Sequence, residues 1–471
     1  MIILAEKKTS KSYTRRYSKK ILISFQLGNF VNLLMSQMFS MQLAFFYQSV
    51  VGIAITLYLI AQVIYMLFNM FNDPLIGYFC DKSTRFVKKW GKRFPWILMG
   101  AIPYCFMVII IYSAPQAAQV GQITVFLWFI LSQCLMDTFF SLYDINRYAL
   151  FPDKFRDNKD RRIAGTITTY LETFGIMAGV IVPVLIIDAF GTGLGYIYMS
   201  IIVASISLIA IIAMIPGIRE DEMMIERRLS IEKEKKPEPF FSNMKSTLKD
   251  RNFMGYMIFF VCYTGCMGLV MASLPFVVRD ILQLPKIGEL FVIFYILAVI
   301  ATTPLWYKVS FKIGIKKTAM IGGIILGSVM LLFLFIPLGG SGIPIAIIGF
   351  LAAGSVDGAI ITMTWPLFSS VVDKATIDTG SRREGIYRGT WVFFSRVAIV
   401  IHSAIFWFVQ VVFNYNPQGN NTIAQLLGLR IQVGVFPIII MGLGVLFFTL
   451  FYKISQEEME ENTQKLEELN L

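Results

Sequence analysis

The chain has 471 residues, of which 56% are hydrophobic, 14% aromatic and only 15% charged, with a formal net charge of +12. A soluble domain carries roughly a quarter charged residues, so this composition excludes an ordinary cytosolic protein; because the positive charge falls in bursts between long apolar runs, it also excludes a nucleic-acid partner. Cys80, Cys105, Cys134, Cys262 and Cys266 lie in or beside apolar stretches, which suits small packing residues and not a disulfide or metal framework.

In chain order, apolar runs of about 20 residues or more predict six membrane spans at 21–47, 53–80, 95–113, 123–150, 163–187 and 196–216. A polar segment follows, with Arg219, Glu220, Asp221, Arg227, Arg228 and the charged run 232–239. Six more spans are predicted at 254–276, 290–308, 318–337, 344–372, 387–413 and 426–452. The chain therefore reads as an all-α membrane protein of twelve transmembrane helices in two six-helix bundles, residues 1–216 and 252–471, joined by a linker over 217–251. A shift of 220 residues superposes Asp137 on Asp357 and the pair Asp153 and Lys154 on Asp373 and Lys374, as an internal duplication of six spans would.

Of the 42 lysines and arginines, 37 fall in the N-terminus, the linker, the tail and the loops on their side of the bilayer. Only Arg279, Lys286 and Arg430 lie on the other side. Basic loops stay in the cytoplasm, so both termini are expected there, in a multi-pass monomer of the cell membrane with no cleaved leader. No phosphate-binding Gly-x-x-x-x-Gly-Lys-Ser/Thr loop occurs. The chain does not read as an enzyme and calls for no cofactor beyond a coupling ion.

A charge in mid-bilayer costs on the order of 2.5–3.5 kcal/mol on insertion scales, so those that persist face a cavity or a partner. In the second span Asn69, Asn72 and Asp73 share one helical face, and Pro74 frees the carbonyl of Met70. This oxygen-rich, singly anionic group suits Na+, with Asp73 and Asn72 as metal ligands, or a proton; a structural polar patch is the bland alternative. In the fourth span Asp137, Ser141 and Asp144 form a stripe expected to line a central cavity, and Arg147 is placed to pair with Asp144. In the second half Trp365 and Trp391 could stack on a sugar or anchor the interface, Arg396 must pair, snorkel or meet substrate, and His402 reads as an interhelical hydrogen-bonder.

The segment Asn72-Asp73-Pro74-Leu75-Ile76-Gly77, with Asp81, Thr84 and Trp90-Gly91-Lys92-Arg93-Phe94-Pro95-Trp96, resembles the signature of the glycoside-pentoside-hexuronide:cation symporters, the melibiose-carrier-like family of the major facilitator superfamily. Tyr148-Ala149-Leu150-Phe151-Pro152 and Gly380-Ser381-Arg382-Arg383-Glu384-Gly385 agree with it. The resemblance implies cation-coupled symport of a sugar, glycoside or uronide by alternating access. It implies a Na+ or H+ site at Asp73 and Asn72, Asp144 at the junction of cation and substrate, and gates at Arg161, Arg162, Asp373, Arg382, Arg383 and Glu384. Joined to the reading of the intramembrane residues, it makes Asp73, Asn72, Asn69 and Asp144 the candidate cation site, and Asp144, Arg147, Tyr148, Trp365, Trp391 and Arg396 the candidate substrate site. The acids that melibiose-type members use for ion and sugar are replaced by Asn69 and Leu33, and their helix-five arginine by Thr169, so galactoside specificity does not carry over. Arg147 and Arg396 suggest an anionic group on the substrate. A lysophospholipid:cation symporter of the same fold is the alternative, and a non-transporting membrane sensor a more distant one.

Overall fold

The computed structural model describes residues 17–82, 87–155, 158–225, 240–379 and 384–468. Among them, twelve helices are long and apolar enough to cross a membrane: α1 (Lys19–Val51), α2 (Ile55–Cys80), α3 (Phe94–Tyr112), α4 (Gln122–Lys154), α5 (Ile163–Phe190), α6 (Leu194–Ile218), α7 (Arg251–Ile281), α8 (Gly288–Ile313), α9 (Ile315–Phe335), α10 (Gly339–Asp378), α11 (Ile386–Val412) and α12 (Ile423–Phe451). Every expected span has its helix. The largest overrun is at α10, which begins with a 3-10 turn at Gly339–Gly342 and carries its last turns past Lys374. A helix need not stop where its apolar run does, because backbone hydrogen bonding continues into the polar boundary.

The first six helices pack as α1 on α5 and α6, α4 on α2 and α3, and α3 on α6. The same pairings recur six helices later: α7 on α11 and α12, α10 on α8 and α9, and α9 on α12. Small residues permit the close crossings. A Cβ at Gly175 or Gly179 of α5 would lie 2.6 and 2.5 Å from the α1 carbonyl oxygens of Phe30 and Leu34, and one at Gly354 of α10 only 2.1 Å from that of Tyr295 in α8.

The end that carries the termini is braced by the motif-bearing loops. Gly91 sits at φ +87, and a Cβ there would be 2.4 Å from the Glu220 carboxyl carbon. Glu220 thereby reaches the N–H groups of Arg93 (2.5 Å) and Phe94 (3.1 Å), satisfying donors at the start of α3 where a negative charge is favoured. Lys154 donates to the carbonyls of Gly217 (2.6 Å) and Arg219 (2.7 Å) at the end of α6, the complementary use of a cation.

The two bundles meet through α1 against α7 and α2 against α11. Away from the termini the joint is dense. Gln42 donates to Glu289 (2.6 Å), Trp407 to Thr56 (3.2 Å), Gln410 to Gln48 and Ser49 to the Pro417 carbonyl, while Arg279 lies 5.0 Å above the Phe45 ring. Toward the termini the described crossings are fewer: Phe71 against Phe393 (5.8 Å between centroids) and Arg388 5.7 Å from the Tyr148 ring.

Candidate functional site

Helices α2 and α4 run in the same direction, so polar groups one turn apart on each align rung by rung. Asn69 donates to Asp137 Oδ1 (2.6 Å), with the Tyr65 hydroxyl 3.3 Å from the same oxygen. Asn72 donates to Asp137 Oδ2 and to Ser141 Oγ, both at 3.0 Å. Ser141 in turn donates to Asp73 Oδ1 (2.5 Å), and Asp73 Oδ2 accepts from Arg396 Nη2 at 3.0 Å, a salt bridge between the bundles. Here α11 interrupts its regular helix, between Glu384–Ser395 and Val397–Val412, with a tight i+3 bond from Ile399 to the Arg396 carbonyl (3.0 Å). Two carboxylates thus face one guanidinium in mid-membrane. Formally the cluster is short of one positive charge, and a monovalent cation or a proton would supply it. Asn69 Oδ1 is buried there without a hydrogen-bond partner among the described residues.

One to two turns toward the termini is a second, closed arrangement. Arg147 is 1% exposed, bonds Asp144 Oδ1 (3.0 Å) and Asn29 Oδ1 (2.7 Å), and lies against the Tyr148 ring at 4.7 Å. It fits because residue 28 is glycine: a Cβ there would come within 2.7 Å of Arg147 Cδ and 2.5 Å of the Tyr143 hydroxyl. Asp144 Oδ1 also accepts from Asn32 (2.6 Å).

On the other side of the anionic cluster, away from the termini, lies a cavity of about 350 Å³, within the range of roughly 300–1,000 Å³ typical of small-molecule sites. Its floor includes Tyr65, Asn69, Asp137 and Arg396, so the cluster and the cavity share four residues. Phe39, Leu43, Met136 and Phe140 give it apolar wall. Six of its lining residues hold a buried polar atom without a hydrogen-bond partner among the described residues: Asn32 Oδ1, Gln62 Oε1, Asn69 Oδ1, Gln133 Nε2, Arg396 Nε and His402 Nδ1. Buried polar atoms are ordinarily paired; these six are sealed within the wall, so an occupant would reach them only after their side chains turn toward the void.

Of the residues expected at the substrate site, Arg396 is on this wall; Asp144, Arg147, Tyr148, Trp365 and Trp391 are not. Arg147 is turned into the first bundle by Asp144 and Asn29. Tyr148 and Trp365, 48% and 52% exposed, flank Arg388 on the terminal side, at 5.7 and 5.5 Å from its guanidinium. Trp391 packs on Tyr256, Phe368 and Trp365. Asp73, Asn72 and Asn69 come together as expected from their spacing, but Asp144 belongs to the Arg147 arrangement and meets the cavity wall through Asn32. The centre of the anionic cluster is Asp137, which the sequence had assigned only to the cavity stripe. Its spacing to Ser141 matches that of Asn69 to Asp73, and this equal i, i+4 step on parallel spans is the signal that pairs them. Among the described residues His402 has no partner for Nδ1, contrary to its reading as an interhelical hydrogen-bonder. Among the gates, the side chains of Arg161, Arg162 and Glu384 and the whole of Arg382 and Arg383 lie outside the described residues; Asp373 is partly buried on α10.

The chain matches the family described as MFS/sugar transport protein over residues 24–456. It is 24% identical over 459 residues to the isoprimeverose transporter of Lactiplantibacillus pentosus, covering 92% of this chain and 88% of that one. It is 23% identical over 437 residues to the sodium-dependent lysophosphatidylcholine symporter 1 of Mus musculus, covering 85% and 79%. The fold is similar to that of the nucleoside transporter NupG, with a TM-score of 0.60 and 12% identity over 92% of this chain and 98% of that one. A family match over nearly the whole length, on twelve apolar helices in two alike bundles, makes this a multi-pass membrane transporter and not an enzyme: the chain belongs to the MFS/sugar transport protein family.

Proposed function

We propose that this transporter is a symporter that couples a monovalent cation, Na+ or H+, to the uptake of a neutral sugar or glycoside by alternating access. The observation that carries the reading is the shared boundary of two sites: Asn69, Asp137 and Arg396 belong both to a cluster lacking one positive charge and to the wall of a sugar-sized cavity. A cation entering beside Asp73 and Asp137, with Asn69 Oδ1 as a further oxygen, weakens the hold of Asp73 on Arg396 and resets the floor against which the substrate lies. The amide and imidazole side chains on the cavity wall suit hydroxyl groups, which both donate and accept. A neutral substrate is favoured over an anionic one because Arg147 and Arg396 already have carboxylate partners. The cationic loops favour cytoplasmic termini in the cell membrane, and the dense joint away from the termini would then close the outer face.

A second reading, symport of a lysophospholipid, is supported by the likeness to the mouse symporter. Uptake into proteoliposomes separates the two. The panel comprises xylose, glucose, melibiose, isoprimeverose, a glucuronide and lysophosphatidylcholine, each with and without a Na+ or pH gradient. Concentrative uptake of a neutral sugar that collapses when the gradient is removed is the expected result. Gradient-driven uptake of lysophosphatidylcholine alone would replace the sugar reading, and uptake indifferent to both gradients would remove the coupling.

A further inference from the structure

We propose that His402 is the substrate contact of the second bundle, the group through which a bound sugar bridges the two halves. The inference rests on the sugar-symport reading and adds a residue to it. From the second bundle the cavity wall receives Ala272, Arg396, Ile399 and His402. Ala272 and Ile399 offer no polar side-chain atom, and the guanidinium of Arg396 is held by Asp73. His402 is left as the polar side chain on the wall from this half with no ionic tie among the described contacts. The amide side chains of the wall, Asn32, Gln62, Asn69 and Gln133, all belong to the first bundle.

A ligand shifts a conformational equilibrium only through contacts that differ between the two states. A sugar held by the first bundle alone would ride with it and leave the rocking equilibrium untouched. An imidazole opposite the amides changes that: its hydrogen bond to the sugar forms when the halves close around it and breaks when they part. The local structure keeps the ring in place for this. It packs with Nδ1 against Gly268 of α7, where a Cβ would stand 2.9 Å from that atom, so a larger residue would push the ring from its slot, and Nε2 is the nitrogen left for the sugar.

His402 is the single histidine of the chain, which makes the test direct. Full-length protein carrying a non-histidine affinity tag and ring-labelled histidine gives one imidazole resonance, observed while glucose, xylose, melibiose and lactose are titrated and their affinities measured by calorimetry. The proposal expects the resonance to move and saturate at the calorimetric Kd of the sugar that binds. It also expects His402→Ala to weaken that sugar roughly tenfold, as a lost hydrogen bond with its partner left unsatisfied does, with His402→Gln recovering part of the loss. Sugar binding with an unmoved resonance, or with an unchanged Kd in His402→Ala, overturns the proposal and leaves the symport reading intact. Failure of every sugar to bind, in calorimetry and resonance alike, overturns both. The resonance measurement needs no variant, so it decides the matter even where a substitution does not fold.

Discussion

Asp137 accepts three donors, from Asn69, Asn72 and Tyr65, and Asp73 accepts two, from Ser141 and Arg396. Hydrogen bonds to a charged group contribute about 1.5–3 kcal/mol each, and removing one member of the partly buried Asp73–Arg396 pair leaves the other charge uncompensated, which is costlier than removing both. Asp73→Asn should therefore abolish gradient-driven accumulation while sugar binding stays measurable; wild-type accumulation in this variant would remove Asp73 from the coupling site. Arg396→Gln should lower the thermal midpoint in detergent, and the double variant Asp73→Asn, Arg396→Gln should regain most of that loss without regaining accumulation. A double variant no more stable than Arg396→Gln would show that the pair does not act as a unit. At this scale the sequence carried half of the site. Spacing alone put Asn69, Asn72 and Asp73 on one face, and Asp144 within reach of Arg147. Which helix that face meets depends on the rotation of α4 about its axis, a tertiary quantity, and so the role of Asp137 emerged only with the packing.

The helices themselves were legible because each apolar run is long enough to demand a bilayer, and the caps were not, because Glu220 and Lys154 act on α3 and α6 from distant positions in the chain. The interruption of α11 at Arg396 has neither proline nor glycine beside it, so no local breaker announces it. The crossing of α5 over α1 depends on backbone contact at Gly179, 2.5 Å from the Leu34 oxygen once a Cβ is added. Overpacking of this kind typically costs about 1–3 kcal/mol. Gly179→Val should lower the thermal midpoint by several degrees and reduce the folded yield, whereas Gly193→Ala, with open space around its Cβ position, should behave as wild type. Equal midpoints for the two variants would mean that α1 and α5 are not packed as described.

At the scale of the whole molecule, the recurrence of each helix pairing six helices later gives two alike bodies that can rock about the cavity between them. The joint at Gln48 and Gln410, away from the termini, must open for the other state. A disulfide between Gln48→Cys and Gln410→Cys in a background without Cys80, Cys105, Cys134, Cys262 and Cys266 should stop uptake and release it on reduction; undiminished uptake in the cross-linked protein would leave that joint static. The central claim is that cation and sugar sites are energetically linked through Asn69, Asp137 and Arg396. Linkage is reciprocal and typically amounts to about 5–150-fold in affinity. The most direct measurement is calorimetric sugar affinity against Na+ concentration and against pH, for the wild type and for Asp137→Asn. We expect one of the two cations to tighten sugar binding in the wild type by a factor within that range, and Asp137→Asn to flatten the dependence. Sugar affinity that is the same at every Na+ concentration and pH in the wild type, or a dependence that survives intact in Asp137→Asn, would contradict the account.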